Sequence, residues 1–194
     1  MIAVIDNYDS FTWNLVYLIR MLGFGNQLKV LRNDSFSPED LKAFSHILIS
    51  PGPGIPSETT NLYKVLEMYA PSKSILGICL GHQGIGEFFG AKLVNLDMVR
   101  HGVRSEIHLR DHNLYLFRDI PESFSAGLYH SWVITPDSVK NPLKITAQSA
   151  DGLVMGISHS HWDVHGLQFH PESIMSPDGK MILENWLRGL QLND

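Results

Sequence analysis

The segment Ser74-Ile75-Leu76-Gly77-Ile78-Cys79-Leu80-Gly81 carries the clearest structural signal in the sequence. Its apolar run predicts a buried strand over Ser74–Cys79, and the residues that follow predict a helix ending at Gly90. Further apolar runs predict strands near Ile2–Ile5, Leu28–Leu31 and His46–Ser50. Because helical patterns lie between these runs, we predict an α/β fold with a mostly parallel, twisted sheet and flanking helices.

The first helix is predicted from its caps, its stop and its apolar side. Asp9 and Ser10 are candidate caps, and Gly23 is the stop. The apolar side consists of Trp13, Val16, Tyr17 and Leu22. A later helix is predicted from Ser57 to about Tyr69.

The second half of the chain has a different pattern. From Ala91 to His170, short alternating segments are interrupted by Gly, Pro, Asn and Asp, which is typical of antiparallel strands. These segments include Ile145–Gln148, Leu153–Ser158 and Val164–Phe169. Asp178 is then the predicted cap of an amphipathic helix that contains Ile182, Leu183, Trp186, Leu187 and Leu190. No repeat or linker interrupts the 194 residues, so we predict a single domain over 1–194.

Composition limits the classes of function. The 44% of hydrophobic residues is enough for a core, and the net charge of -5, without a basic run, argues against nucleic acid as a partner. The single cysteine, Cys79, excludes an internal disulfide and fits a reducing compartment. The first strand turns polar at Asp6, and no apolar stretch approaches the ~20 residues that cross a bilayer. We therefore expect a cytoplasmic protein with no membrane partner.

Cys79 lies where the predicted strand meets the predicted helix, with Gly77 and Gly81 on either side. This pattern is typical of a strained elbow that presents a nucleophile at the edge of a sheet. The positive end of the following helix favours a thiolate there. The alternative is a buried core cysteine, because free cysteines are among the most buried residues.

A cysteine nucleophile needs a base, and His170-Pro171-Glu172 offers an imidazole followed by a carboxylate. Pro171 stiffens the chain between the two side chains, although the same pattern also occurs as a solvated surface pair. An acyl-transfer site also needs donors for an oxyanion. In Pro51-Gly52-Pro53-Gly54 only the glycines carry amide hydrogens, and the Leu80 amide is the natural second donor. The alternative for this segment is a simple tight turn.

Taken together, these segments resemble the class I, triad-type glutamine amidotransferases. The matching segments are Pro51-Gly52-Pro53-Gly54, Gly77-Ile78-Cys79-Leu80-Gly81-His82-Gln83 and Phe169-His170-Pro171-Glu172-Ser173, in this order. The early segment Asp6-Asn7-Tyr8-Asp9-Ser10-Phe11-Thr12 is similar to the small subunits of anthranilate synthase and aminodeoxychorismate synthase. The similarity covers essentially the whole chain and implies the flavodoxin-like fold of this family.

The resemblance implies a catalytic triad of Cys79, His170 and Glu172, with an oxyanion hole from the Gly52 and Leu80 amides. It implies glutamine contacts by Gly52, Gly54, Gln83, Ser131 and Trp132. Glutamine would be hydrolysed through a thioester, and ammonia would pass to a larger chorismate-binding synthase subunit. Anthranilate synthase, in tryptophan biosynthesis, is the first expectation, and aminodeoxychorismate synthase, in folate biosynthesis, is the alternative. No cofactor or metal is expected on this chain, and magnesium is expected on the partner.

The sequence departs from the family pattern at three places. Trp132 stands where the family usually has leucine, and His101-Gly102-Val103-Arg104 stands where it has His-Gly-Lys. Gly84 stands where alanine is common. Because glycine in a helix interior costs ~1 kcal/mol relative to alanine, Gly84 predicts close packing.

Three other functions are weaker. His159-Ser160-His161-Trp162-Asp163-Val164-His165 has alternate metal-ligand types, but the spacing is wrong, and a hairpin turn at Trp162-Asp163 with solvated histidines is favoured. Gly84-Ile85-Gly86 lacks the third glycine of a dinucleotide loop. A non-catalytic amidotransferase-like scaffold is disfavoured because the predicted nucleophile, base and carboxylate are all present.

Overall fold

The structure is a computed structural model, and it describes residues 1–189. Within this range nine strands form one sheet. The strands are β1 (Ile2–Asp6), β2 (Leu28–Arg32), β3 (His46–Ile49), β4 (Ser74–Ile78), β5 (Leu93–Leu109), β6 (Ser123–Ile134), β7 (Leu143–Ser149), β8 (Val154–His159) and β9 (Val164–Leu167). Their order across the sheet is β2-β1-β3-β4-β9-β8-β7-β5-β6.

The first half of the sheet is parallel, as predicted. β1 pairs with β2 and β3, and β4 pairs with β3, always in parallel. Every residue of β1 is buried, which is the pattern of a strand covered by helices on both faces. The apolar runs therefore predicted these strands to within a residue or two.

The second half is antiparallel over β5 to β8, and β9 joins the two halves. β9 pairs antiparallel with β8, as the predicted hairpin requires. Its other edge pairs in parallel with β4, where Ile78 lies opposite Leu167. This second pairing brings the end of β9 beside the end of β4.

Four α-helices flank the sheet in the described part of the chain. They are α1 (Thr12–Ile19), α2 (Leu62–Tyr69), α3 (Leu80–Phe88) and α4 (Gly179–Arg188). α2 begins later than predicted, because a separate 3-10 turn occupies Pro56–Glu58 and the Thr59 hydroxyl donates to the Pro56 carbonyl at its end. No helix within residues 1–189 is long and apolar enough to span a bilayer.

The predicted apolar side of α1 is wrong in part. Trp13 and Tyr17 are 56% and 61% exposed, whereas Leu15, Val16 and Ile19 are buried in the core. Both sets have helical spacing, so periodicity alone does not select between them. Gly23 adopts a left-handed φ of 92° shortly after the helix, in agreement with its predicted role as a stop.

α4 lies where the last helix was predicted, and its apolar side is buried. Ile182, Leu183, Trp186 and Leu187 are buried in the core. Asp178 occupies the N-cap position as predicted, but within the described residues its side chain makes no capping hydrogen bond. Leu190 lies outside the described residues.

Candidate active site

Cys79 lies on a strained turn between β4 and α3. It has φ of 51° and ψ of −98°, a conformation that side-chain-bearing residues rarely adopt. The flanking glycines leave no room for a side chain: a Cβ on Gly77 would lie 2.4 Å from the Gly81 carbonyl carbon, and a Cβ on Gly81 would lie 2.6 Å from the Ile49 carbonyl oxygen. The elbow is therefore built as the glycine spacing predicts, and Cys79 is 6% exposed.

His170 and Glu172 form a buried pair. Nδ1 of His170 lies 2.6 Å from Oε1 of Glu172, and their side chains are 2% and 0% exposed. The His170 amide donates to the Gly127 carbonyl at 3.0 Å, which anchors this segment to β6. The pair is therefore not the solvated surface contact considered as the alternative.

The charge state of His170 depends on its neighbours. Burial lowers the pKa of His170, but hydrogen bonding and charge interactions with Cys79 and Glu172 outweigh burial, so the pKa is raised. Cys79 reaches His170 because its amide donates to the Leu167 carbonyl at 2.8 Å, at the parallel contact of β4 with β9. The structure thus brings Cys79 to the His170–Glu172 pair, which is distant from it in the sequence.

The Pro-Gly-Pro-Gly segment packs tightly against the elbow. A Cβ on Gly52 would lie 2.5 Å from Leu80 Cδ2 and 2.6 Å from Asn7 Cβ, so only glycine fits. Gly54 has a left-handed φ of 74°. Leu80 is the first residue of α3, and the first amides of a helix have no acceptor within it. The backbone of Gly52 thus lies beside the residue that supplies the other predicted donor.

One cavity of about 220 Å³ contains Cys79, the predicted nucleophile, and the residues that the sequence suggested for glutamine. Its lining includes Gly52, Gly54, Cys79, Gln83, Ser131 and Trp132. Val99 and His101 from β5 also line it, next to the departure at Val103. Every predicted substrate-contacting residue therefore faces one site, and that site adjoins the buried His170–Glu172 pair.

The model of the family "Glutamine amidotransferase class-I" matches residues 3–190. The chain belongs to the class I glutamine amidotransferase family. It is 46% identical over 186 residues to the putative anthranilate synthase component II of Haemophilus influenzae, covering 96% of this chain and 95% of the relative. It is 42% identical over 189 residues to the aminodeoxychorismate synthase component 2 of Escherichia coli, covering 96% and 99%.

A solved structure supports the same fold for this amidotransferase. A putative GMP synthase subunit of Thermoplasma acidophilum superposes with a TM-score of 0.85 and 25% identity, covering 96% of this chain and 91% of that chain. The prediction of an α/β fold of this family, with a parallel sheet, flanking helices and antiparallel strands in the second half, is therefore confirmed.

Three residues of the amidotransferase site were missed by sequence reasoning. The rings of Phe11 and Tyr129 lie 5.0 Å and 4.9 Å from the His170 ring and 4.7 Å from each other, so the three rings form one cluster. Gln168, which is fully buried, donates from Nε2 to the Cys79 sulfur at 3.5 Å. Phe11 belongs to the early segment that suggested the family, which was the available signal. Nothing in the local sequence singled out Tyr129 or Gln168.

The histidine-rich segment of the amidotransferase forms the hairpin between β8 and β9. Within residues 1–189 no group of three or more ligand-type side chains is arranged to hold a metal ion. The expectation of solvated histidines is wrong for two of them, because His159 and His165 are 7% and 3% exposed. His159 stacks on Trp162 with 4.3 Å between ring centroids, and His165 Nε2 lies 2.7 Å from Asp163 Oδ1. These contacts bury both rings.

Proposed function

We propose that this amidotransferase is the glutaminase subunit of a chorismate-using synthase. The observation that carries the proposal is the His170–Glu172 contact of 2.6 Å, buried beside a cysteine on a strained elbow. A buried imidazole with a raised pKa next to a thiol is suited to nucleophilic acyl chemistry. Because Gly52 and Gly54 line the same cavity and permit close backbone approach, the site suits a small carboxamide substrate.

In the proposed first step, the Cys79 thiolate attacks the side-chain carboxamide carbon of glutamine. The carbonyl oxygen becomes an oxyanion and accepts hydrogen bonds from the Gly52 and Leu80 amides. His170, protonated on its ring, gives a proton to the departing nitrogen, and ammonia leaves. A γ-glutamyl thioester on Cys79 remains.

In the second step, water attacks the thioester carbon and His170 takes its proton. The carbon–sulfur bond breaks, glutamate leaves and Cys79 returns to a thiolate. Glu172 accepts from the Nδ1 side of His170, so that Nε2 faces the reaction, and it stabilises the charged ring.

The cavity lining supplies the proposed contacts to glutamine. Gly54, Gln83, Ser131 and Trp132 surround the space next to Cys79. Gln83 is held in place because its Nε2 donates to the Trp132 carbonyl at 2.8 Å. Trp132, in place of the usual leucine, gives this side of the cavity a larger wall.

The product requires a partner. Ammonia that escapes into neutral water becomes ammonium, which has no lone pair for attack, so a closed route to a second active site is needed. The relatives are named as second components of anthranilate synthase and of aminodeoxychorismate synthase. We propose that the partner is a larger chorismate-binding subunit with its own magnesium. Anthranilate is the product that we favour, and aminodeoxychorismate is the alternative. We place the complex in the cytoplasm, where Cys79 stays reduced.

The test uses this chain together with a candidate synthase subunit, supplied with either glutamine or ammonium salt. Cys79→Ala is expected to abolish product formation from glutamine and to leave formation from ammonia intact. Product identification, as anthranilate or aminodeoxychorismate, then assigns the pathway. Equal loss with both nitrogen sources would mean that Cys79 is structural. A wild-type chain without glutaminase activity, alone or with the synthase subunit, would point to a scaffold.

A further inference from the structure

Gln168 is a buried polar residue that the proposed mechanism does not use. It directly follows β9, and its exposed fraction is 0%. In the parallel register, Ile78 of β4 lies opposite Leu167 of β9. Cys79 and Gln168 are the next residues along these two strands, so the pairing of the strands places them side by side.

The Gln168 side chain links the nucleophile to the cavity wall. Its Nε2 donates to Cys79 Sγ at 3.5 Å, and its Oε1 accepts from Gln83 Nε2 at 3.2 Å. Gln83 Nε2 also donates to the Trp132 carbonyl at 2.8 Å. A continuous series of hydrogen bonds therefore runs from β6 to the sulfur.

This series of hydrogen bonds determines the orientation of the Gln168 amide. The Trp132 carbonyl only accepts, so the nitrogen of Gln83 must lie on its side. That nitrogen faces Gln168, which must therefore present its oxygen to Gln83 and its nitrogen to the sulfur. If the Gln168 amide were flipped, its nitrogen would face the nitrogen of Gln83, so that two donors would face each other. Its oxygen would then face the Cys79 sulfur, which would have lost the N–H donor of Gln168.

We propose that Gln168 is a positioning residue that stabilises the reactive form of the Cys79 sulfur and aims it at the substrate cavity. The inference rests on the proposed function. A thiolate accepts an N–H donor more strongly than a thiol does, so the Gln168 amide favours the nucleophilic form. Because its oxygen is tied to Gln83, Gln168 also aligns the nucleophile with a proposed glutamine contact. It transfers no proton.

The test measures alkylation of Cys79 by iodoacetamide as a function of pH in the full chain. Cys79 is the single cysteine, so the labelled site is unambiguous. Gln168→Leu removes both hydrogen bonds. We expect alkylation at pH 7 to be about tenfold slower, the size of losing one hydrogen bond to a charged group, and the rate profile to move to higher pH.

Gln168→Glu is the second variant, because it keeps the shape and the acceptor for Gln83. It places a carboxylate oxygen against the sulfur where the wild-type protein has an N–H. Like charges disfavour the thiolate, so we expect a larger loss of alkylation rate than in Gln168→Leu. If the leucine variant does not fold, this near-isosteric variant carries the test.

Thr146→Val is the matched control. Thr146 is fully buried in β7, and its hydroxyl has no hydrogen-bond partner among residues 1–189, so its loss should leave Cys79 unaffected. Unfolding temperatures are measured for all variants. Folded Gln168 variants that alkylate at the wild-type rate, even with lowered unfolding temperatures, would overturn the inference. A wild-type chain that never uses glutamine with a synthase subunit would instead contradict the proposed function.

Discussion

Gly52→Ala tests the proposed oxyanion hole by moving one backbone amide without changing any reactive side chain. The added Cβ would lie 2.5 Å from Leu80 Cδ2, 2.6 Å from Asn7 Cβ and 3.0 Å from the Asn7 carbonyl oxygen. Carbon atoms in contact are about 3.5–4.0 Å apart, so the segment must move by about 1 Å. Asn7 cannot easily yield, because its amide and side chain both bond to Ser50, each at 2.9 Å.

The size of the effect follows from this displacement. A misplacement of about 1 Å in an active site can cost about 10²-fold in rate, and loss of one oxyanion donor costs about 10²–10³-fold in kcat. We therefore expect kcat with glutamine to fall by about 10²–10³-fold in the complex with a synthase subunit. Overpacking also lowers the free energy of unfolding by about 1–3 kcal/mol.

The assay compares initial rates of product formation from glutamine and from ammonium salt. Synthesis from ammonia should be unchanged, because it does not use the thioester. Gly25→Ala is the control: Gly25 has a helical φ of −55°, and a Cβ there would lie 3.3 Å from Cγ of the flexible Arg20 side chain. A folded Gly52→Ala variant that keeps glutamine turnover within twofold of wild type would refute the proposed donor.

Two further predictions concern the buried titratable groups. Glu172→Gln keeps the shape of the side chain but removes a charge that raises the pKa of His170. We therefore expect a lower pKa for His170 and about 10²-fold slower glutamine hydrolysis. Ammonia-dependent synthesis is the control. Burial lowers the pKa of His82 from 6.5 to about 3, so below pH 6.5 the unfolded chain binds a proton that the folded chain excludes. This group should therefore lower the free energy of unfolding by up to about 1.4 kcal/mol for each unit by which the pH is lowered below 6.5. Urea titrations at pH 7, 6 and 5 should show that the free energy of unfolding depends less on pH in His82→Gln than in the wild-type protein. Equal pH dependences in the two proteins would contradict a buried neutral His82.

The features that sequence reasoning predicted well depend on short segments. β1, β3 and β4 were predicted because apolar runs of strand length need no distant partner to be recognised. The elbow at Cys79 was predicted because its glycines lie within two residues of it. Gly84 also met its expectation, since a Cβ there would lie 2.6 Å from Leu62 Cδ2. In each case the signal and the structure that it specifies lie in the same stretch of chain.

The features that were missed depend on contacts between distant segments. Periodicity placed Trp13 and Tyr17 inside, but packing of α1 on the sheet buries Leu15 and Ile19 instead. Gln168 contacts a sulfur that is 89 positions away in the sequence, through a strand pairing that no local pattern predicts.

The sequence alone therefore determined the elements and the reactive residue types, because propensity and turn geometry act over a few residues. Tertiary structure decided which of these residues meet. The parallel register of β4 and β9 places Cys79 beside Gln168, and the anchoring of His170 to Gly127 of β6 buries the imidazole next to them. Register and packing are properties of the whole sheet, so no single segment encodes them.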